Sequence, residues 1–417
     1  MSTTPVATDI ETFDFWRRPA GEREAGFRWL RENDPVSWHP PVESLLIAPE
    51  LNTEGFWAVT KAAHIQEISR NTEVFSSAPG IFMEDMPEVI VAAALSFLAM
   101  DAPEHPQLRG IVHKAFSPGR IRKMEGWIRE HAHKLVAEIK PLGGGDMCPL
   151  LTKELPGRIY AQYIGADCEQ MRRDVIRLAD RLVSWNDPEY TREMEPLEVL
   201  ADAADGLSDI ALALADERRT KPGEDMLTWL VQAEFDGRAM EDWEIASFFV
   251  MLSGGANDTT AHLTGSSLVS LDRHPDQKAW LLEDFEGRID AAIDELLRFN
   301  PPLTHFRRTA TQDYELAGET IKAGEQVVLW YISGSKDEEL FEDPDRLVLA
   351  RRNARQHVTF GGGGPHYCLG SALGRQLLKC ALREVYSQLP DFAIGEVEPV
   401  FSNFINGVRR VNATWSA

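Results

Sequence analysis

The sequence has no apolar run near the roughly 18 residues that a membrane-spanning helix requires. Its first residues, Met1-Ser-Thr-Thr-Pro-Val-Ala-Thr-Asp9, carry neither a basic stretch nor an apolar one. No membrane span and no secretory leader are therefore expected. Positive charge is also scarce: 43 Lys and Arg stand against 66 Asp and Glu, a net charge of −23. That balance argues against nucleic acid as a partner. The four cysteines, Cys148, Cys168, Cys368 and Cys380, form no close-spaced pair. They make no zinc pattern either, and together this implies a reduced, cytoplasmic setting. No repeat or low-complexity linker divides the chain. One continuous domain over residues 1–417 is expected, although length alone would suggest two or three.

What stands out is residues 357–375, His-Val-Thr-Phe-Gly-Gly-Gly-Gly-Pro-His-Tyr-Cys-Leu-Gly-Ser-Ala-Leu-Gly-Arg. The glycines permit a tight backbone and close approach to a flat object, where a Cβ would collide. A helix-like run follows Leu369 and Gly370. A cysteine just ahead of a helix has its thiolate favoured by the free N–H groups and dipole of that helix. Such a thiolate is a good ligand for a metal whose opposite face is open. Taken alone, the stretch reads as a Gly-rich turn with a small buried cysteine.

Two distant motifs change that reading. Glu295-Leu-Leu-Arg298 places a carboxylate and a guanidinium at i, i+3 on one helix face. Alone, this is an ordinary surface pair worth tenths of a kcal/mol. Ala256-Asn-Asp-Thr-Thr260 lies inside a long apolar run over residues 241–272, hydrophobic all round and so expected to be a buried helix. Gly254 and Gly255 sit in that helix at a cost of order 1 kcal/mol each relative to alanine, which a close flat ligand would explain. Thr259 can hydrogen-bond back to the carbonyl of Gly255, bending the helix and opening a groove.

In their order and spacing these three motifs resemble the cytochrome P450 family, and the resemblance covers nearly the whole chain. It implies a mainly α fold with a smaller β region, holding haem b (heme b, iron protoporphyrin IX) between the long buried helix and the helix after the Cys loop. It implies Cys368 as the axial thiolate, a ligand that favours O–O cleavage. Ala256, Phe360 and Gly370 would line the haem. Asp258 and Thr259 would deliver protons, the acid feeding them from solvent and the alcohol ordering them. Ala256 departs from the glycine common at that position, and its methyl would trim the pocket.

The family holds the haem propionates with His and Arg side chains. His105 and Arg109, four apart on a helix that starts near Met100, match such a pair; a solvated surface pair is the plainer alternative. Arg308 matches the strand arginine better than Arg307, His357 matches a further ligand, and His366 adds a donor at the haem edge. Glu295 and Arg298 would be buried and bonded to a third arginine, with Arg352 the better candidate and Arg351 the alternative. Phe82, Met83, Gly255, Leu303, Thr304 and Phe404 would face the substrate, though each is individually ordinary core.

Phe360 lies eight residues before Cys368, where many family members have seven. That longer loop, with Gly55-Phe-Trp-Ala-Val-Thr60, Asp187-Pro-Glu-Tyr190 and Asn403-Phe-Ile-Asn-Gly407, loosely resembles the bacterial subgroup that hydroxylates sterol side chains and methyl-branched lipids. No flavin or iron–sulfur segment follows Cys368. The resemblance therefore implies electrons from a ferredoxin, itself reduced by an NAD(P)H-dependent reductase, with O2 and an apolar small molecule as substrates. In an acidic chain, the basic island Arg120, Arg122, Lys123, Arg129, Lys134 and Lys140, with His131 and His133, suits an acidic partner. A solvated charged face is the usual reading of such a run. A peroxide-driven enzyme and a haem sensor or carrier remain alternatives. The first usually lacks the acid–alcohol pair, and the second needs neither that pair nor a basic face.

Overall fold

The computed structural model describes residues 6–47, 54–113, 116–166, 168–185, 187, 189–235 and 237–417. Pro188, in one of the stretches quoted above, lies outside them. The axis of the fold is the helix Asp242–Arg273. It begins with a capping box in which Glu244 reaches back to the Glu241 N–H at 2.7 Å. Apart from Trp243 near its start and the half-buried Ala256, its apolar side chains are buried on all sides. Helices Glu154–Ile164, Glu169–Val183 and Pro196–Thr220 pack along it, as does the helix after the Cys loop, Ser371–Gln388. Helix Pro118–Ile139 lies against Ser371–Gln388.

The smaller β region holds a five-stranded sheet in the order Val36–His39, Phe56–Val59, Gln326–Trp330, His305–Ala310, Phe75–Ser76. Gln326–Trp330 runs parallel to Phe56–Val59, and the other pairings are antiparallel. A second sheet pairs Ala393–Pro399 with Val408–Thr414. The loop between those two strands carries Phe404, which the bridge Leu303–Ile405 holds beside the start of strand His305–Ala310.

Near the start of the chain two helices follow each other, Phe13–Arg17 and Ala20–Asn33. Pro19 forces Arg18 into extended backbone and divides them. The apolar run 89–100 is likewise divided, into the helix Glu88–Ala94 and the short turn of helix Ser96–Ala99. Among the described residues no helix is long and apolar enough to cross a membrane.

Candidate active site

The Cys loop is held by the helix Ala62–Arg70. Gly361, Gly363 and Gly364 have φ of +92°, +98° and +75°, which side chains rarely adopt. A Cβ on Gly362 would sit 2.6 Å from the Ile65 carbonyl oxygen, and one on Gly364 2.2 Å from that of Ser69. These glycines therefore serve the turn and the close approach of a helix, which corrects the expectation that they make room for a flat ligand. Cys368 N donates to Phe360 O at 2.9 Å, closing the loop. The Cys368 thiol is exposed by area yet set among protein atoms, and this burial pushes its pKa up. The N–H groups of Gly370 and Ser371 and the charge of Arg109 act in the opposite direction, favouring thiolate. Gly370 is the N-cap of the helix Ser371–Gln388.

Beside the thiol four donors gather. The His105 and His366 rings lie 4.1 Å apart. Arg109 donates to Tyr367 O, the carbonyl next to Cys368. Arg308 is buried, its Nη1 bonded to the Arg307 carbonyl at 2.7 Å. The neighbouring arginine faces the other side of the strand, where Arg307 meets Asp85 and the Pro79 carbonyl. Burial, together with Arg308, His105 and Arg109, pushes His366 down to about 2; burial and Arg109 push His105 to about 4. Both rings are thus neutral at ordinary pH. His105 Nε2 and Arg308 Nε are buried without a hydrogen-bond partner. Cationic and neutral donors with unspent N–H groups suit a dianionic group, so these residues fit the carboxylates of a haem beside a cysteine thiolate.

His357 is not among them. Its Nδ1 accepts from Thr359 N at 3.2 Å, its Nε2 lies 3.5 Å from Arg375 Nη2, and Phe360 packs 5.7 Å away. Its charged neighbours are Arg375, Arg298 and Arg355, not the four donors. The expectation of a propionate ligand there is corrected: His357 braces the Cys loop, and so does Phe360, which also carries Arg375 over its ring at 5.2 Å.

Glu295 and Arg298 are wholly buried and joined in a fork, Nε–Oε2 at 2.7 Å and Nη2–Oε1 at 2.8 Å. The surface alternative is thereby removed. The third arginine is Arg351, whose Nε lies 3.1 Å from both carboxylate oxygens. Arg352 is exposed, so the preference for it was wrong.

On the long helix, Thr259 Oγ1 donates to Gly255 O at 2.9 Å, the back-bond expected from sequence. Gly255 faces open space. Gly254 does not: a Cβ there would press on Leu182 and Val183 at 3.2 and 3.3 Å, so this glycine admits the neighbouring helix while also bordering the cavity described next. Ala256 is half-buried and packs on the same core cluster as Leu369 and Leu373. Gly255 and Thr259 line an apolar cavity with Phe82, Leu303, Phe306 and Phe404. Two expected wall residues are elsewhere. Met83 is buried in the cluster with Phe56, Val328 and Trp330. Thr304 is fully buried and bonds the Asn403 carbonyl. Met83 is drawn into that core cluster, and Thr304 is held by its bond to the loop carbonyl. Sequence reading missed Leu182, Leu200 and Met251, whose helical periodicity is that of any core face.

Asp258 is 2% exposed, and its Oδ2 has no hydrogen-bond partner. Burial and then the nearby Asp180 push its pKa well above the usual carboxyl range, against the opposing charge of Lys153. Lys153 Nζ and Asp180 Oδ2 are 2.6 Å apart, and Tyr190 also donates to Asp180. No motif marked Lys153 or Asp180, while Tyr190 ends one of the stretches quoted above. Lys153 caps the helix Glu154–Ile164, Asp180 lies on Glu169–Val183, and Tyr190 lies in the turn that follows; all three are far in sequence from Asp258. A buried acid whose proton affinity is raised, one residue from an alcohol that lines an apolar cavity, can hold and pass a proton.

The family model described as cytochrome P450 matches residues 50–388. A methyl-branched lipid omega-hydroxylase of Mycobacterium tuberculosis is 35% identical over 99% of this chain and 96% of its own length. A steroid C26-monooxygenase of Mycolicibacterium smegmatis is 34% identical over 98% and 94%. A solved Mycobacterium marinum cytochrome P450 in complex with pseudoionone superposes with a TM-score of 0.95, at 44% identity, over 100% of both chains.

Proposed function

Since the chain belongs to the cytochrome P450 family and is a monooxygenase, we propose that it hydroxylates an uncharged apolar molecule of the terpenoid, steroid or branched-lipid class. The observation that carries this is the cavity. Its lining is apolar from Ile81 and Phe82 through Leu182, Leu303 and Phe404, and it opens on Gly255 and Thr259. Among its described lining residues there is no charged side chain to anchor an ionised substrate. The substrates in the relatives' names, a methyl-branched lipid and a steroid, and the pseudoionone of the similar solved protein share that apolar character.

The roles follow from the positions. Cys368 ligates the iron of haem b, with its thiolate supported by the Gly370 and Ser371 amides. His105, Arg109, Arg308 and His366 hold the propionates. The haem, when bound, supplies the activation of O2. The protein excludes water with its apolar wall and orients the substrate. Asp258 holds the proton, and Thr259 carries it to the groove at Gly255. The whole chain works as one unit in the cytoplasm, with electrons from a ferredoxin and its NAD(P)H-dependent reductase.

A spectral titration tests the substrate class. Pseudoionone, a steroid and a methyl-branched fatty acid are each added to the haem-loaded protein. A shift of the haem band toward high spin, followed by a product one oxygen atom heavier, is expected for at least one of the uncharged compounds. A response to the ionised fatty acid alone overturns the neutral-substrate reading.

A further inference from the structure

Residues 81–86 form one wall of the cavity and are tied down from two sides. Strand His305–Ala310 holds one side: Arg307 N donates to Ile81 O at 2.7 Å, and Met83 N donates to His305 Nε2 at 3.0 Å. Asp85 there accepts from Arg307 Nη1 at 2.5 Å and from Gln326 Nε2 at 2.8 Å. On the other side Glu84 reaches across. Its Oε1 accepts from Asn403 Nδ2 at 2.9 Å and its Oε2 from Ser44 Oγ at 3.4 Å. The residue after Asn403 is Phe404, whose ring stands edge-on to Phe82 at 4.7 Å between centroids. Both rings line the cavity. Ser44 lies two before Leu46, which clusters with Trp185 and Leu200, and Leu200 lines the cavity too. One carboxyl thus joins three segments distant in sequence: two of them, 81–86 and the Phe404 loop, border the substrate space, and the third packs through Leu46 in the cluster that holds Leu200.

Glu84 is 3% exposed. A carboxylate so buried ordinarily has a cation beside it. Here the charged and titratable groups around it are otherwise engaged. Arg307 is paired with Asp85. His305 is neutral, pushed down to about 3 chiefly by burial, and its two nitrogens meet Met83 N and Thr304 Oγ1. On the segment leading to Ser44, His39 pairs with Glu11, and Glu43 accepts from Phe13 N. The hydrogen bonds from Asn403 and Ser44 favour the ionised form, but burial outweighs them and pushes Glu84 up to about 7.

We propose that Glu84 is a positioning residue for substrate entry: neutral, it latches the 81–86 wall to the Phe404 loop, and ionised, it releases them. The proposal rests on the reading of this cavity as the substrate site. The sign follows from burial. The closed wall prefers the protonated carboxyl, so closure is fully favoured below the ordinary carboxyl range and weakens as pH rises through about 7. An ionised Glu84 without a cation draws water to itself, and the wall must part to admit it.

Amide hydrogen exchange on the haem-loaded protein tests this without any substrate. Protection of residues 81–86 and 402–405 is measured at about pH 6 and about pH 8, corrected for the intrinsic exchange rate, in the wild type and in Glu84→Gln. The wild type is expected to lose up to about tenfold of its protection at the higher pH, and the Gln variant to stay protected at both. Ser44→Ala, which removes a donor to the ionised form, should move the wild-type transition to higher pH. Equal protection of the wild type at both pH values, or the same loss in Glu84→Gln, overturns the latch. So does a transition unmoved by Ser44→Ala. Pseudoionone titrations run in parallel should show its affinity falling with pH in the wild type only. Silence toward pseudoionone, the steroid and the fatty acid alike overturns the substrate reading, while the exchange comparison still decides the latch.

Discussion

Arg351 places its Nε 3.1 Å from each carboxylate oxygen of Glu295, while the adjacent Arg352 is exposed. Arg351 also donates to the carbonyls of Glu342, Asp343 and Arg346, so it stitches the segment before the Cys loop to the helix Phe285–Phe299. Removing it leaves Glu295 with Arg298 but frees that segment. Arg351→Ala should cost about 2–3 kcal/mol and lower haem content, because several charge-assisted bonds are lost together. Arg352→Ala should stay within about 0.5 kcal/mol. Thermal unfolding of the two variants side by side checks this, and equal melting temperatures would refute it.

Cys368→Ala should abolish the long-wavelength band that a thiolate-ligated haem gives with carbon monoxide after reduction. Cys148, Cys168 and Cys380 offer no substitute. Two are buried elsewhere in the fold, and Cys168 caps the helix Glu169–Val183. An unchanged band in the variant would remove Cys368 as ligand.

Thr259→Ala should bind substrate and accept electrons yet lose coupling, so that NAD(P)H is consumed while hydrogen peroxide accumulates. Loss of an ordered proton route should lower product per NAD(P)H, by up to about 10²-fold. Asp258→Asn keeps size but removes the proton and should slow turnover instead. Because burial raises the pKa of Asp258, its proton is present at low pH and is lost as pH rises through the raised value. Wild-type turnover should fall over that range, and the Asn variant should be flat. Unchanged coupling in Thr259→Ala would defeat the relay.

Arg122 and Lys123 are exposed on the helix Pro118–Ile139, which packs against the Cys-loop helix. Much of the rest of the basic island is spoken for: Arg120 lies over Trp229, Arg129 and His133 meet Glu384, and Lys134 pairs with Glu130. Arg375 and Lys379, on the Cys-loop helix itself, face Asp294 and Asp290. Charge reversal at Arg122 and Lys123 should therefore slow ferredoxin-dependent turnover, most at low salt, with substrate binding unchanged. No change across ionic strengths would leave the island as solvated surface.

The family was legible because its chemistry is written locally. A cysteine before a helix, a carboxylate three residues from an arginine and a threonine four residues from a glycine carbonyl are short-range relations that spacing alone establishes. The back-bond of Thr259 to Gly255 is of this kind. What the sequence could not determine are relations between segments far apart. Whether Arg351 or Arg352 meets Glu295 depends on how one turn is rotated against a helix. Whether His357 or His366 joins His105 depends on which side of the Cys loop each faces. Gly254, Gly362 and Gly364 are glycines because another helix passes close, a contact with no signature in their own neighbourhood. The setting of Asp258 among Lys153 and Asp180, and of Glu84 between Ser44 and Asn403, exists only in the folded chain. Burial and proximity, which set the proton affinity of both acids, are properties of packing rather than of order along the sequence.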